Sequence, residues 1–192
     1  LNFSALLRPG GARPVPAHWS LMAGVAVHEA AAAFLPDAAA LMLKWPNDLM
    51  LGGAKLAGVL IDSALRADGT LDWVILGVGV NVAEAPALPD RPTTCLAAHG
   101  AAVAPRDLAG RLMDALDRWG AQDLAAIRAA WLDRAHPPGT PLRVQQGGRV
   151  LEGIFEGLEA DGALKLRGHA PLRQGEVALG RSGEETPHAA GG

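Results

Sequence analysis

Residues 44–62 read KWPNDLMLGGAKLAGVLID, and the two lysines, Lys44 and Lys55, bracket a Pro46-Asn47-Asp48 turn and a Gly52-Gly53 pair. Lys44 ends the apolar run Leu41-Met42-Leu43, and Lys55 opens the run from Leu56 to Ile61. Cations at the inner ends of two neighbouring strands can neutralise phosphate or carboxylate oxygens. Proline removes a donor and fixes φ, so the first strand must stop at Trp45. Asn47 and Asp48 are residue types that hydrogen-bond their own backbone and build turns, which makes Asp48 a turn organiser. The plainer alternative is a stiff turn with both lysines in water, because lysine normally keeps its head group solvated.

Glycine placement adds a second pattern. Gly58 interrupts Lys55–Ile61, and Gly77 and Gly79 interrupt Leu71–Val82. A glycine inside a strand marks close approach by a ligand or by another backbone. Side-chain-free positions on adjacent strands, beside two lysines, outline a slot with a cationic rim for a flat or extended ligand carrying phosphate. Crossing strands and bulges account for the glycines as well. Gly77-Val78-Gly79-Val80-Asn81 is not a dinucleotide fingerprint, since the third glycine is missing and no helix follows. Asn81 ends its strand with a neutral oxygen suited to a magnesium ion that keeps most of its waters, or simply forms a turn. His28 reads as a core or edge histidine, while His99, His136 and His169 lack partners at metal spacing and Cys95 lacks a CxxC companion. Neither a GxSxG elbow nor a Walker loop occurs.

The elements that must position these residues follow from periodicity and punctuation. Leu1–Leu7 reads as a strand, followed by a basic loop from Arg8 to Arg13, and Pro16–Leu35 as an Ala-rich helix buried on most sides. Ala40–Lys44, Leu49–Leu51, Lys55–Ser63 and Leu71–Val82 read as strands, with Asp68-Gly69 a hairpin turn between the last two. The continuous apolarity of Leu71–Val82 predicts burial on both faces. Leu108, Leu112, Leu116 and Trp119 define one helical stripe, beginning near Asp107, and Leu124, Ile127 and Trp131 define another. His136-Pro137-Pro138-Gly139 is the clearest linker, and beyond it short runs separated by Gly-rich turns predict a small β-barrel. Arg181–Gly192, polar and Gly-rich, reads as a disordered tail. A chain of 192 residues has room for one core plus a small module. Its formal charge of −3 gives no global footprint for nucleic acid, its apolar runs are too short for a membrane span, and a single cysteine fits the cytoplasm.

Taken in order, Lys44-Trp45-Pro46-Asn47-Asp48, Lys55-Leu56-Ala57-Gly58-Val59-Leu60, Gly77-Val78-Gly79-Val80-Asn81, Thr93-Thr94-Cys95-Leu96 and the C-terminal β module resemble biotin–protein ligases from residue 1 to about 180. The resemblance implies an α/β (α+β) fold: a mixed β-sheet with flanking helices over residues 1–137, an SH3-like domain over 138–181 and the tail at 182–192. It implies an ATP-dependent ligase that activates biotin as biotinyl-AMP, with Mg²⁺, and passes it to a lysine of a biotin carboxyl carrier protein. Lys55 would be the catalytic lysine and would contact biotin together with Gly58, Val59, Gly77 and Gly79. Lys44, Asn47 and Asn81 would serve the nucleotide, Asn81 also the metal. A homodimer is a possible assembly of the chain; nucleic acid and membranes are not expected partners. The family's Ser-Thr biotin contact and Gly/Arg-rich adenylate loop precede the strand matching Leu1–Leu7, so the chain reads as starting inside a longer one. Three alternatives stand beside this reading: a lipoate–protein ligase of the same fold, a non-catalytic binder of biotin or nucleotide and, last, a structural interaction module built around the barrel.

Overall fold

The computed structural model describes residues 1–10 and 16–180. Arg13 and the tail from Arg181 to Gly192 lie outside the described residues. Five strands form the larger sheet: β1 (Asn2–Leu7), β2 (Leu41–Lys44), β3 (Asp48–Leu51), β4 (Ala54–Leu65) and β5 (Leu71–Val80), in the order β1-β5-β4-β3-β2. Short turns join β2 to β3, β3 to β4 and β4 to β5, and a tight connection reverses the chain, so these neighbours are antiparallel. β1 closes on β5 in the same sense. The expected mixed character is confined to two isolated parallel bridges, Leu43 with Ala135 and Lys55 with Thr93.

Helix α1 (Pro16–Ala32) lies against this sheet, and α2 (Pro105–Gly120) and α3 (Leu124–Leu132) cover α1 from the other side. Its small residues Ala23, Ala26, Ala30 and Ala31 are buried together with Leu21, Met22 and Val25, which explains a helix apolar on nearly every face. Pro105 opens α2 two residues before Asp107, and Asp123 caps α3 by accepting the Ala126 N–H at 2.8 Å.

Covering one face leaves the other open, and this corrects the expectation for β5. Val74, Leu76, Val78 and Val80 are buried under α1, whereas Trp73, Ile75 and Gly77 are half-buried and Gly79 is exposed. An antiparallel sheet with helices on one side needs only one apolar face; Trp73, Ile75 and the two glycines on the other made the run look doubly buried.

After the His136–Gly139 linker, β6 (Pro141–Gln146), β7 (Arg149–Leu158), β8 (Leu164–Leu166) and β9 (Glu176–Leu179) form a second antiparallel sheet in the order β8-β7-β6-β9. Among the described residues no ladder joins β8 to β9, so the expected barrel appears as a four-stranded sheet. It docks on the larger unit through the β7–β8 turn, where the Gly162 carbonyl accepts the buried Trp45 indole N–H at 3.2 Å. Among the described residues no helix is long and apolar enough to cross a membrane.

Candidate active site

The open face of the larger sheet carries a continuous cross-strand row. Lys44 pairs with Asp48, Asp48 with Gly58, Gly58 with Gly79 and Gly79 with Asn2. Directly paired residues point to the same face, so the row runs from two charged groups across a side-chain-free floor to a carboxamide. The next row on that face is Leu60, Gly77 and Ser4.

Lys55 joins this face through an irregularity. It lies three positions before Gly58, an odd separation that in a regular strand would put the two on opposite faces. The ladder shifts here: Leu49 pairs with Ala57, but Met50 pairs with Lys55, leaving Leu56 as an extra residue. This β-bulge re-aims Lys55 toward Asp48. The bulged segment is held from outside, since the Lys55 N–H donates to the Pro92 carbonyl at 2.9 Å and its carbonyl accepts the Thr94 N–H at 3.0 Å.

Asp48, only 7 % exposed, is the one buried charged side chain among the described residues. Its Oδ2 lies 3.0 Å from Lys44 Nζ and its Oδ1 2.5 Å from Lys55 Nζ. A carboxylate can be buried this way because both oxygens meet an ammonium group. It opens β3 and does more than end the turn: it ties the two lysines to one point.

Two cavities meet at this cluster. The larger, about 630 Å³, lies between the β2–β3 hairpin and the second sheet and is lined by Lys44, Lys55, Arg91, His136 and Arg143, with Met42 and Met50 on its apolar side. Arg91 there bridges Asp90 and Glu176, each at 2.5 Å, and its hydrogen bond holds the Asp90 carboxyl below the usual range. Burial, assisted by Lys44, holds His136 below the usual histidine range. The smaller cavity, about 490 Å³, is lined by Lys55, Gly58, Gly79, Asn81 and Asn2. Lys55 is the residue common to both linings.

The structure thus gathers Lys44, Asp48, Lys55, Gly58, Gly77 and Gly79 on one face. Val59 turns the other way, buried beneath the sheet. Asn47 is not brought to the lysines: its Nδ2 donates to the Val59 carbonyl at 2.7 Å, tying the turn to β4. Asn81 staples three segments, with Nδ2 donating to the Thr94 carbonyl at 2.9 Å, its N–H to Leu56 at 3.0 Å, and its carbonyl accepting from Leu96 at 3.0 Å. Sequence reasoning missed Asn2 and Ser4, although polar residues alternating with Phe3 and Ala5 were the signal of a half-open strand. Among the described residues no group of three His, Cys, Asp or Glu could hold a metal.

Residues 1–133 match the model of the biotin/lipoate A/B protein ligase family. The chain belongs to that family. A biotin–[acetyl-CoA-carboxylase] ligase of Paracoccus denitrificans is 39 % identical over 183 residues, covering 88 % of this chain and 75 % of the relative. One from Mycobacterium tuberculosis is 34 % identical over 154 residues, covering 77 % of this chain but only 55 % of its own length. Among solved structures, the biotin protein ligase of Aquifex aeolicus in complex with biotin and ATP superposes with a TM-score of 0.71 at 23 % identity, over 94 % of this chain and 78 % of that one. At that identity the likeness speaks for the fold: this ligase-family chain carries the family's α+β architecture and the appended small sheet.

Proposed function

We propose that this member of the ligase family is a biotin–protein ligase, and that Lys55 is where its two substrates meet. The observation that carries the reading is the position of Lys55 at the junction of the two cavities. A joining reaction needs both partners within reach of one stabilising group, and among the described residues only Lys55 borders both spaces. Biotin would lie on the glycine floor of the smaller cavity, its flat ring against Gly58 and Gly79, with Ser4 and Asn2 offering polar atoms along β1. ATP would occupy the larger cavity, its apolar side taking the base and Lys44 and Arg91 facing the phosphates.

In the first step a biotin carboxylate oxygen attacks the α-phosphorus, and the bond to pyrophosphate breaks. Negative charge crowds at that centre, and the Lys55 ammonium stabilises it at a fixed position. In the second step the ε-amine of a carrier lysine attacks the acyl carbon, AMP leaves with the C–O bonding electrons, and the amine loses its proton. Magnesium would supply further neutralisation of the phosphates. Among the described residues no three acidic or histidine side chains gather to hold it: Asp48 is already neutralised by two lysines, which leaves scattered oxygen donors such as Asn81 and Glu84 on the lining of the smaller cavity. The ion would therefore ride on the nucleotide and its waters. We place the division between catalytic and SH3-like domains at residues 137 and 138, the carrier as a biotin carboxyl carrier protein, and the reaction in the cytoplasm.

The test is incubation with ATP, Mg²⁺, a carrier domain and either biotin or lipoate, read as the mass of the carrier. Addition of biotin alone is expected. Addition of lipoate without biotin assigns the chain to the other branch of the family, and biotin binding without pyrophosphate release leaves it a binder.

A further inference from the structure

The Lys55 ammonium does not point along the slot. It folds back across Gly58, so that a methyl group built on that glycine would lie 3.3 Å from both Cε and Nζ and 3.7 Å from Asp48 Oδ1. Asp48 holds it there with one oxygen while holding Lys44 with the other. The two lysines are not equivalent: Lys44 is 13 % exposed and Lys55 28 %, so Lys55 has the room to leave. A flat ligand seated on Gly58 needs the space that this ammonium fills.

We propose that Asp48 is an exchangeable counter-ion: when the anionic ligand enters, Lys55 transfers from the Asp48 carboxylate to the ligand's oxygens, and Lys44 stays behind to keep Asp48 neutralised. No covalent bond changes in the exchange. Asp48 is a positioning residue that acts through Lys55. It competes with every incoming anion, and it sets the direction from which Lys55 reaches the reacting oxygens. Other titratable and charged groups share the larger cavity with the two lysines: His136 beside Lys44, Asp90 within the field of Lys55, and Arg91, Arg143 and Glu176 across from them. The inference rests on the ligase reading for the identity of the ligand, but the competition itself can be measured without it.

Pyrophosphate is titrated by calorimetry, at low ionic strength, into the full chain and its Asp48→Asn and Gly58→Ala variants, and biotin-dependent pyrophosphate release is measured in parallel. Removing the internal competitor is expected to tighten pyrophosphate binding about tenfold in Asp48→Asn. The same variant loses roughly 10- to 100-fold in kcat, because Lys55 is no longer directed. Gly58→Ala crowds Lys55 at 3.3 Å and only meets Asp48 Oδ1 at ordinary contact distance, so it nudges Lys55 off the carboxylate while leaving the Asp48 charge in place, and tightens pyrophosphate about twofold. An Asp48 that only supports the fold would weaken binding and slow turnover together. Unchanged or weaker pyrophosphate binding in Asp48→Asn overturns the proposal; if circular dichroism shows that variant unfolded, the Gly58→Ala titration decides alone. A wild-type chain that releases no pyrophosphate with biotin defeats the ligase reading instead, and the pyrophosphate affinities still judge the exchange.

Discussion

Replacing Gly162 by alanine is expected to unseat the second sheet from the corner formed by α1 and the Lys44 hairpin. Gly162 sits in the β7–β8 turn at φ +85°, and an added Cβ would stand 2.4 Å from the Ala17 Cβ and 3.3 Å from Leu21 Cδ1. The left-handed backbone alone costs an L-residue roughly 1–2 kcal/mol. Forcing two methyl groups apart by more than an ångström in a packed corner adds roughly 1–3 kcal/mol. A stiffer unfolded chain returns about 0.4–1 kcal/mol. The net loss is about 3 kcal/mol, or roughly 6–12 °C in Tm for a chain of this size. Urea denaturation followed by Trp fluorescence reads it directly, since Trp45 donates to the same Gly162 carbonyl. Adding Ala17→Gly separates the two causes: it should recover the steric part, about 1–3 kcal/mol, and leave the backbone strain. Stability within about 0.5 kcal/mol of wild type, or strict additivity of the two changes, would refute the close approach on which the reasoning depends.

Lys55→Ala is expected to reduce biotin adenylation by roughly 10²–10³ while far-UV circular dichroism stays unchanged; a folded, fully active variant would remove Lys55 from the mechanism. Asn81→Ala strips the Nδ2 donor from the Thr94 carbonyl and should cost about 1–3 kcal/mol in urea, and a neutral outcome would mean the staple is dispensable. Stability should also fall between pH 7.5 and 5.5. Burial holds His28 below the usual histidine range, opposed by its hydrogen bond to the Leu41 carbonyl, and burial also lowers His18 and His136. The unfolded chain takes up these protons at about pH 6.5 and the folded chain does not, so stability is full above that value and declines below it. Nδ1 of His28 is buried without a partner among the described residues, so charging it would strand a donor. His28→Gln should shrink the pH-dependent shift in the urea midpoint; an equal shift in both proteins would clear His28 of the effect.

The order of the elements was legible because it depends on neighbours within a few positions. Pro46, Asp68-Gly69 and His136–Gly139 end segments by their own backbone chemistry, and Leu108, Leu112 and Leu116 recur at the helical period whatever surrounds them. The slot was half legible: Gly58, Gly77 and Gly79 signalled an open floor. Which face they line could not be read, because that depends on where α1 lies, and β5 was misjudged for the same reason.

Sequence alone determined that two lysines, a turn and three strand glycines occur together, and their motifs carried the family resemblance. Only the tertiary structure decided that the lysines act as a pair. Strand parity places Lys55 and Gly58 on opposite faces, and a one-residue bulge at Leu56, held by pairing to Pro92 and Thr94, reverses that. The same pairing lets Asp48 reach both ammonium groups at once. Register and bulges are settled by contacts between segments far apart in the chain, so no local reading of KWPNDLMLGGAKLAG could have turned Asp48 from a turn residue into a shared counter-ion.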